Sequence, residues 1–477
     1  MTVGRSLLAL LTVVNLCFPA AADGQTAEQI RTTTKSQEPL AGKFLGFVPA
    51  HLKVESHWRS PKVAVAVDDE VVLKTVQQAN YVLPDEQPAV AIDVIEMRVE
   101  PENLQPFLGE TTTVFPVGRL GSSRSDGIFL WGRADYLFWW TSGLNVPPLA
   151  TTSPNGTLVG QAGVLGQTGT SILFGGEGLD DQSRSGGRFT LGTWLDPCHC
   201  RGLEFTYMML GEDNQSFTAS NNEFSILARP FNNVVADTED ARRIAFPGEV
   251  SGTLNIRSST DLHAFETMYR VSVMATPCQR ISYLVGYRFA ELEDQIGIHE
   301  STLALSGALA GTTFDLRDEF NTKNKFHGGA LGVVFECQSG GGWSWEAVAK
   351  VALGSTQSRV SVFGETITTN GAGSTTTQAG LLALPTNIGT FKDSYFSTVS
   401  EFGVTLRHDC QCGLSTTVGY TFLYWNDVAR AGEQIDLGIN TSQIPPGVLT
   451  GLVRPIVPFE KSAFWAQGIR CGVEYAY

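Results

Sequence analysis

The connections between strand-like segments constrain this chain more than any other feature. From Ile128 onward, ten segments alternate in polarity with period two, at 128–140, 186–196, 201–210, 261–275, 281–293, 324–336, 343–355, 395–408, 413–425 and 463–477. Such alternation marks strands with two different faces. Four connections are short: Pro197–Cys200, Thr276–Arg280, Cys337–Gly342 and Asp409–Cys412. Five are long, at 141–185, 211–260, 294–323, 356–394 and 426–462, and short alternates with long throughout. A soluble β-sandwich or jelly roll has no reason to sort its connections this way. A membrane barrel does, because tight turns line one rim and long loops the other. The expected fold is therefore all-β, a transmembrane antiparallel up-and-down β-barrel of ten strands. Twelve is the alternative, if Phe224–Phe231 and Val250–Ile256 add a pair. An even count puts both ends of the barrel on the periplasmic rim.

The faces agree with this reading. Phe205, Tyr207 and Met209 oppose Glu204 and Thr206; Tyr283, Val285, Tyr287 and Phe289 oppose Ser282, Gly286 and Arg288. Val351 and Leu353 oppose Lys350, and Val418, Tyr420 and Phe422 oppose Thr417 and Thr421. A slip of one residue would turn every charge into lipid, so the register is firmly set. Phe138, Trp139, Trp140, Trp194, Trp343, Trp345, Tyr424, Trp425 and Trp465 fall at segment ends, where interfacial aromatic girdles are expected. Tyr477, with Tyr475, Val473 and Ile469 on the same face, resembles the closing-strand signal read by barrel-assembly machinery.

Composition narrows the remaining classes. Charged residues are 17% of the chain, below the roughly 25% of an ordinary soluble protein. The net charge of −15 argues against nucleic acid as a partner. Beyond the first segment, no stretch reaches the roughly 18 apolar residues of a membrane helix. Residues 1–22 read as a signal peptide: Arg5, an apolar core from Leu7 to Phe18, then Ala20–Ala22 before the cut. Cys17 lacks the small preceding residue of a lipoprotein signal, since Leu16 stands there. Residues 23–127 carry acidic runs such as Asp68-Asp69-Glu70 and one alternating stretch, Lys62–Val72. They are expected to form a partly disordered periplasmic tether; a small domain binding the cell wall or a partner is the other reading. The expected location is the bacterial outer membrane, with this extension in the periplasm.

Thirteen charges fall on the predicted inner faces: Arg133, Asp135, Arg188, Glu204, Glu266, Arg270, Arg288, Glu346, Lys350, Glu401, Arg407, Arg470 and Glu474. They line a pore, or they pair and fill the narrow interior; the second is favoured, because small barrels are filled and buried charge must be paired. The expected mature chain has seven cysteines: Cys198, Cys200, Cys278, Cys337, Cys410, Cys412 and Cys471. All but Cys471 lie in or beside the short turns, so disulfides between turns are expected. A bridge inside either Cys-x-Cys would be strained. A Cys/His metal site with His199 or His408 is the lesser alternative. His263 and His327 have no motif-level serine or paired aspartate, which disfavours an outer-membrane hydrolase. Gly175-Gly176 and Gly186-Gly187 lack phosphate-loop spacing. No residue set asks for a cofactor, a metal or a catalytic role.

Several ordered blocks carry a resemblance. They are Ala134–Trp140 with Pro147-Pro148-Leu149, Leu173–Gly176, Gly186–Leu195 and Ala228–Phe231. Further along come Gly286-Tyr287-Arg288, Phe326–Gly329, Leu384–Asn387, and Val418–Phe422 with Gln434-Ile435-Asp436. On these blocks the chain resembles the bacterial "putative beta-barrel porin" family seven of outer-membrane proteins. The resemblance implies an outer-membrane barrel and brings neither substrate nor catalytic residues. The expected function is a narrow passive channel for small solutes or ions in membrane lipid. The alternative is a non-conducting barrel whose loops bind an envelope partner.

Overall fold

The computed structural model describes residues 129–477, apart from 177, 180–182, 411–412 and 445–446. The expected signal peptide and tether lie outside the described residues.

Ten antiparallel strands form a closed ring. They are β1 (Phe129–Thr141), β2 (Arg184–Trp194), β3 (Arg201–Ser220), β4 (Val250–Ala275) and β5 (Gln279–Ala304). The others are β6 (Thr313–Gly340), β7 (Trp343–Asn370), β8 (Gly389–Asp409), β9 (Leu414–Val428) and β10 (Ser462–Ala476). Each pairs with its neighbour in sequence, and β10 returns to β1, with Leu137 opposite Arg470 at the seam. Closure leaves the ring no open edge, the condition a sheet must meet to cross hydrocarbon. The twelve-strand alternative falls away. Val250–Ile256 is the top of β4, and Leu227–Asn233 belongs to a separate small sheet.

The strands alternate in face as their sequence requires. On β5, Tyr283, Val285 and Tyr287 are 55%, 50% and 42% exposed, whereas Ser282 and Arg288 are buried. The same holds for Val418 and Tyr420 against Thr417 and Thr421 on β9. Parity also corrects the aromatic girdles. Phe138, Trp343 and Tyr424 face outward, but Trp139 and Trp425 are fully buried in the interior. Trp194 lies beneath the Arg270 and Arg280 guanidinium groups, 5.2 Å from its ring centroid to each. Successive residues of a strand point to opposite faces, so Trp139 and Trp140 cannot both meet lipid.

Four strands are much longer than their sequence segments. β4 to β7 have 26, 26, 28 and 28 residues. The expected long loop 294–323 shrinks to 305–312. At about 3.4 Å per residue and a tilt near 40°, the apolar outer run Ile281–Phe289 spans roughly 20 Å, close to the ~25 Å belt of an outer-membrane barrel. The rest of β5 stands above it. There the outer face turns polar at Glu291, Glu293 and Gln295, while Leu292, Ile296 and Ile298 are buried inside.

The upper barrel encloses a folded head. Inside its wall lies a small sheet of Ala150–Thr152, Ser171–Phe174, Leu227–Asn233, Thr238–Ala245 and Gly438–Ile439. Leu227, Ile244 and Ile439 pack with Ile256, Ile298, Phe320 and Val360 of the wall and with Leu382 and Leu384 of the β7–β8 connection, all buried. Each such side chain contributes about 1.5–3 kcal/mol on burial, enough to make the loops one packed unit.

Charge pins this unit to the wall. Asp318 accepts hydrogen bonds from the backbone N–H groups of Leu381, Leu382 and Ala383 at 3.0, 3.2 and 2.9 Å. Arg229 reaches Asp318 at 2.5 Å and Glu300 at 3.0 Å, and Arg242 also pairs with Glu300. Burial opposes ionisation of Glu300, but Arg242 and Arg229 outweigh it and hold its carboxyl below the usual range.

Candidate functional site

The lumen of the lower barrel is the candidate site, and its geometry follows from the inward parity of ten strands. All thirteen predicted inner charges take part in ion pairs. Arg133 approaches Asp135, Glu346 and Glu474 at 3.7, 3.7 and 3.8 Å, and Arg470 approaches Asp135 at 3.8 Å. Arg407 joins Glu474 at 2.6 Å. Nearer the short-turn rim, Arg270 bridges Glu204 at 3.1 Å and Glu336 at 2.6 Å.

Higher up, Glu401 takes Arg188 at 2.8 Å and also pairs with Arg288. Arg288 reaches Glu266 at 3.5 Å, and Lys350 completes the group on Glu266. Arg188 sits on β2, Arg288 on β5 and Glu401 on β8, none of them neighbours in the sheet. Pairs between such strands span the interior. A cavity bounded by Arg188, Glu266, Arg288 and Glu401 has a volume of about 10 Å³. That is at the lower limit for a single water molecule.

Arg280 and Glu336 join this network at 3.9 Å and were missed in the sequence. Their even numbering would have found them, since Ser282 and Arg288 on β5 share the parity of Arg280. Both lie at the margins of their alternating segments, where the pattern is weakest.

Above the charges comes an apolar layer. Leu137, Trp139, Leu210, Leu262, Leu292, Phe326, Leu423, Trp425 and Phe464 are buried together. Phe326 and Trp425 meet edge to face at 6.0 Å, and Trp425 Nε1 donates to Thr356 Oγ1 at 3.0 Å.

The segment after β9 then closes the mouth. Asn324 of β6 donates to the Ala429 carbonyl at 2.8 Å and accepts from the Ala429 N–H at 2.9 Å. Arg430 Nε donates to Asp294 at 2.6 Å, its guanidinium lying over Phe464. The turn Ala431–Gln434 is buried beyond it. A side chain at Gly432 would fall 2.0 Å from the Asn145 carbonyl oxygen, so only glycine fits this seat. No periodicity announces this segment, so the sequence pattern does not set it apart from an ordinary loop.

The cysteines differ from expectation in one respect. Cys198 and Cys200 are bonded to each other and not to another turn. His199 between them adopts a left-handed φ of 53°, which curls the turn and brings the two Cα atoms to 5.3 Å. Ligand atoms of Asp196, Cys198 and Cys200 lie within 4.8 Å of one another, but the bridge takes both sulfurs out of thiolate chemistry. Cys278, Cys410 and Cys471 are exposed and Cys337 is buried; Cys412 lies outside the described residues. His263 bridges Tyr207 at 2.9 Å and Asp261 at 2.8 Å, and His327 meets Tyr287 at 2.6 Å. Both histidines stand on the outer wall, at the upper edge of the apolar belt.

Comparison with known proteins places this geometry. A search of curated proteins gave no match. Among solved structures, an anion-selective porin from Comamonas acidovorans aligns at 9% identity, covering 74% of this chain and 99% of its own, with a TM-score of 0.16. A Pseudomonas aeruginosa FadL homologue aligns at 8%, covering 74% and 90%, with a TM-score of 0.19. The P. putida toluene transporter TodX aligns at 9%, covering 73% and 89%, with a TM-score of 0.16. At such scores these likenesses carry no argument about this chain. The family comparison does, because the model described as "Putative beta barrel porin-7 (BBP7)" matches residues 131–477, essentially the whole barrel with its loops. The chain belongs to this family of outer-membrane β-barrel porins.

Proposed function

We propose that this protein is an outer-membrane barrel that carries a folded head above the outer leaflet and whose lumen is shut at rest. One observation carries the reading: the interior is filled in succession by paired charges, an apolar layer and the docked segment 429–435. A passive pore needs a continuous wet path, and a cavity of about 10 Å³ among the charges does not supply one. The head then displays the loops to a partner in the envelope or outside the cell. The exposed Tyr477 beside Tyr475 serves as the mark read during barrel assembly.

A second reading keeps the narrow channel for small solutes or ions. Family membership favours it, and so do the polar contacts by which Arg430 and the Ala429 backbone hold the segment to the wall. In this reading the segment swings away and the paired charges become a selective lining.

Purified, refolded protein in planar bilayers separates the two. The closed reading expects no steady current from wild type. Stable conductance steps from most insertions would overturn it and establish the channel. A current that needs Arg430→Gln with Asp294→Asn would identify the docked segment as the gate.

A further inference from the structure

Register pairing sorts charge around the outer wall just above the apolar belt. In one row stand Asp261, Glu293, Lys323, Arg359 and Lys392, directly opposite one another on β4 to β8. Two residues below, the row reads His263, Glu291, Lys325, Gln357 and Ser394. Acid gathers on β4 and β5, base on β6 to β8. Where they meet, Lys323 and Lys325 reach Glu291 at 2.9 and 3.0 Å. Arg359 and Lys392 are exposed, and no ion pair among the described residues reaches either.

Like charges directly opposite in a sheet destabilise it. Three cations in line, two of them without a counter-charge among the described residues, fit a surface that meets an anion. Their height identifies which anion. Phe396, outward on β8 and 68% exposed, lies four residues below Lys392. That is roughly 10 Å of height, within the downward reach of long basic side chains. Between the cations and the belt come only uncharged polar groups on β7 and β8, Ser355, Gln357 and Ser394. This order, apolar then polar then cationic, follows a lipid molecule from acyl chain through ester to phosphate.

We propose that Arg359 and Lys392, with Lys323 beside them, form a docking site for the net anionic, phosphate-bearing headgroup of an outer-leaflet lipid. The site rests on the barrel standing in the outer membrane. It does not depend on whether the lumen conducts, so bilayer currents and lipid binding fail separately.

Native mass spectrometry of the full chain in detergent, titrated with phosphatidylglycerol or phosphatidylcholine, tests the site. Phosphatidylglycerol is expected to bind more tightly. The double variant Arg359→Gln/Lys392→Gln should weaken it about thirtyfold, as two interfacial cations are lost. Arg359→Lys should retain most of the affinity, and Arg257→Gln, an exposed basic residue on β4 off the row, should leave it unchanged. Heat-modifiable gel mobility confirms that each variant is folded. Equal affinity for the two lipids, an unchanged double variant, or displacement of the lipid by inorganic phosphate at matched charge would each overturn the proposal.

Discussion

The lower and upper halves of the same strands bury opposite things. On β5 the odd residues Tyr283, Val285 and Tyr287 are exposed and apolar, and even Arg288 is buried and charged. Higher on the same strand, even Leu292, Ile296 and Ile298 are buried and apolar, while odd Glu291 and Glu293 face outward. β7 repeats this, from Val351 and Leu353 outside and Lys350 inside to Val360 and Val362 inside and Arg359 outside. The β5–β6 pairing passes through this change without a register shift. The backbone does not know where the membrane ends; the side chains do. Lipid outside demands apolar surface there and leaves polar groups the interior, whereas water outside demands the reverse.

The largest expected effect is on the charged interior below. Glu401→Gln removes the partner of both Arg188 and Arg288, leaving two buried cations with weakened compensation. We expect a loss of about 3–5 kcal/mol, read as a lower urea midpoint by gel mobility. An unchanged midpoint would mean that water solvates these charges, and the closed lumen would be wrong.

Next comes the layer between the halves. Phe326→Ala deletes a ring packed against Trp425 and should cost about 3 kcal/mol. It should also raise the frequency of brief current events in bilayers. Unfolding without any current would place the seal in the docked segment.

A paired substitution on one face of one strand sharpens the contrast. Val285→Arg puts a charge into the lipid belt and should cost about 2–4 kcal/mol. Gln295→Arg lies on the same face ten residues higher and should change stability by less than about 0.5 kcal/mol. Similar costs would move the membrane boundary off Phe289.

The inversion also explains what could be read in advance. Ten strands, their order and their outward belts were legible because each apolar run keeps one parity, as Val418, Tyr420 and Phe422 do. The upper barrel was not. The alternating segments end at 293 and 355 and begin at 261 and 324, close to where the apolar parity changes sides. A change of parity looks like the end of a strand when only one solvent is assumed. Trp139 and Trp425 stand at segment ends, where girdles are expected, but their parity turns them inward, and facing outweighs position. The thirteen inner charges needed only parity. Arg430, Asp294 and Asn324 needed the docked segment, whose seat depends on contacts far apart in sequence.

The smallest effect concerns acid. Glu300 stands on the β5 wall and grips the head, whose Arg242 and Arg229 hold its carboxyl below the ordinary range against the opposing effect of burial. In the unfolded chain it titrates near the usual value of about 4.3. Below that value the unfolded state takes up the proton first, so the stabilisation is whole at neutral pH and drains away as the solution is acidified toward the lower folded value. Hydrogen exchange at about pH 7 and about pH 3 should therefore show the Leu381–Ala383 amides, which Asp318 accepts, losing protection before those of Tyr283–Tyr287. Glu300→Gln should flatten this step without touching the lower strands. Simultaneous loss in both regions would mean that head and membrane barrel open as one unit, and the two-solvent division of these strands would then describe composition without describing stability.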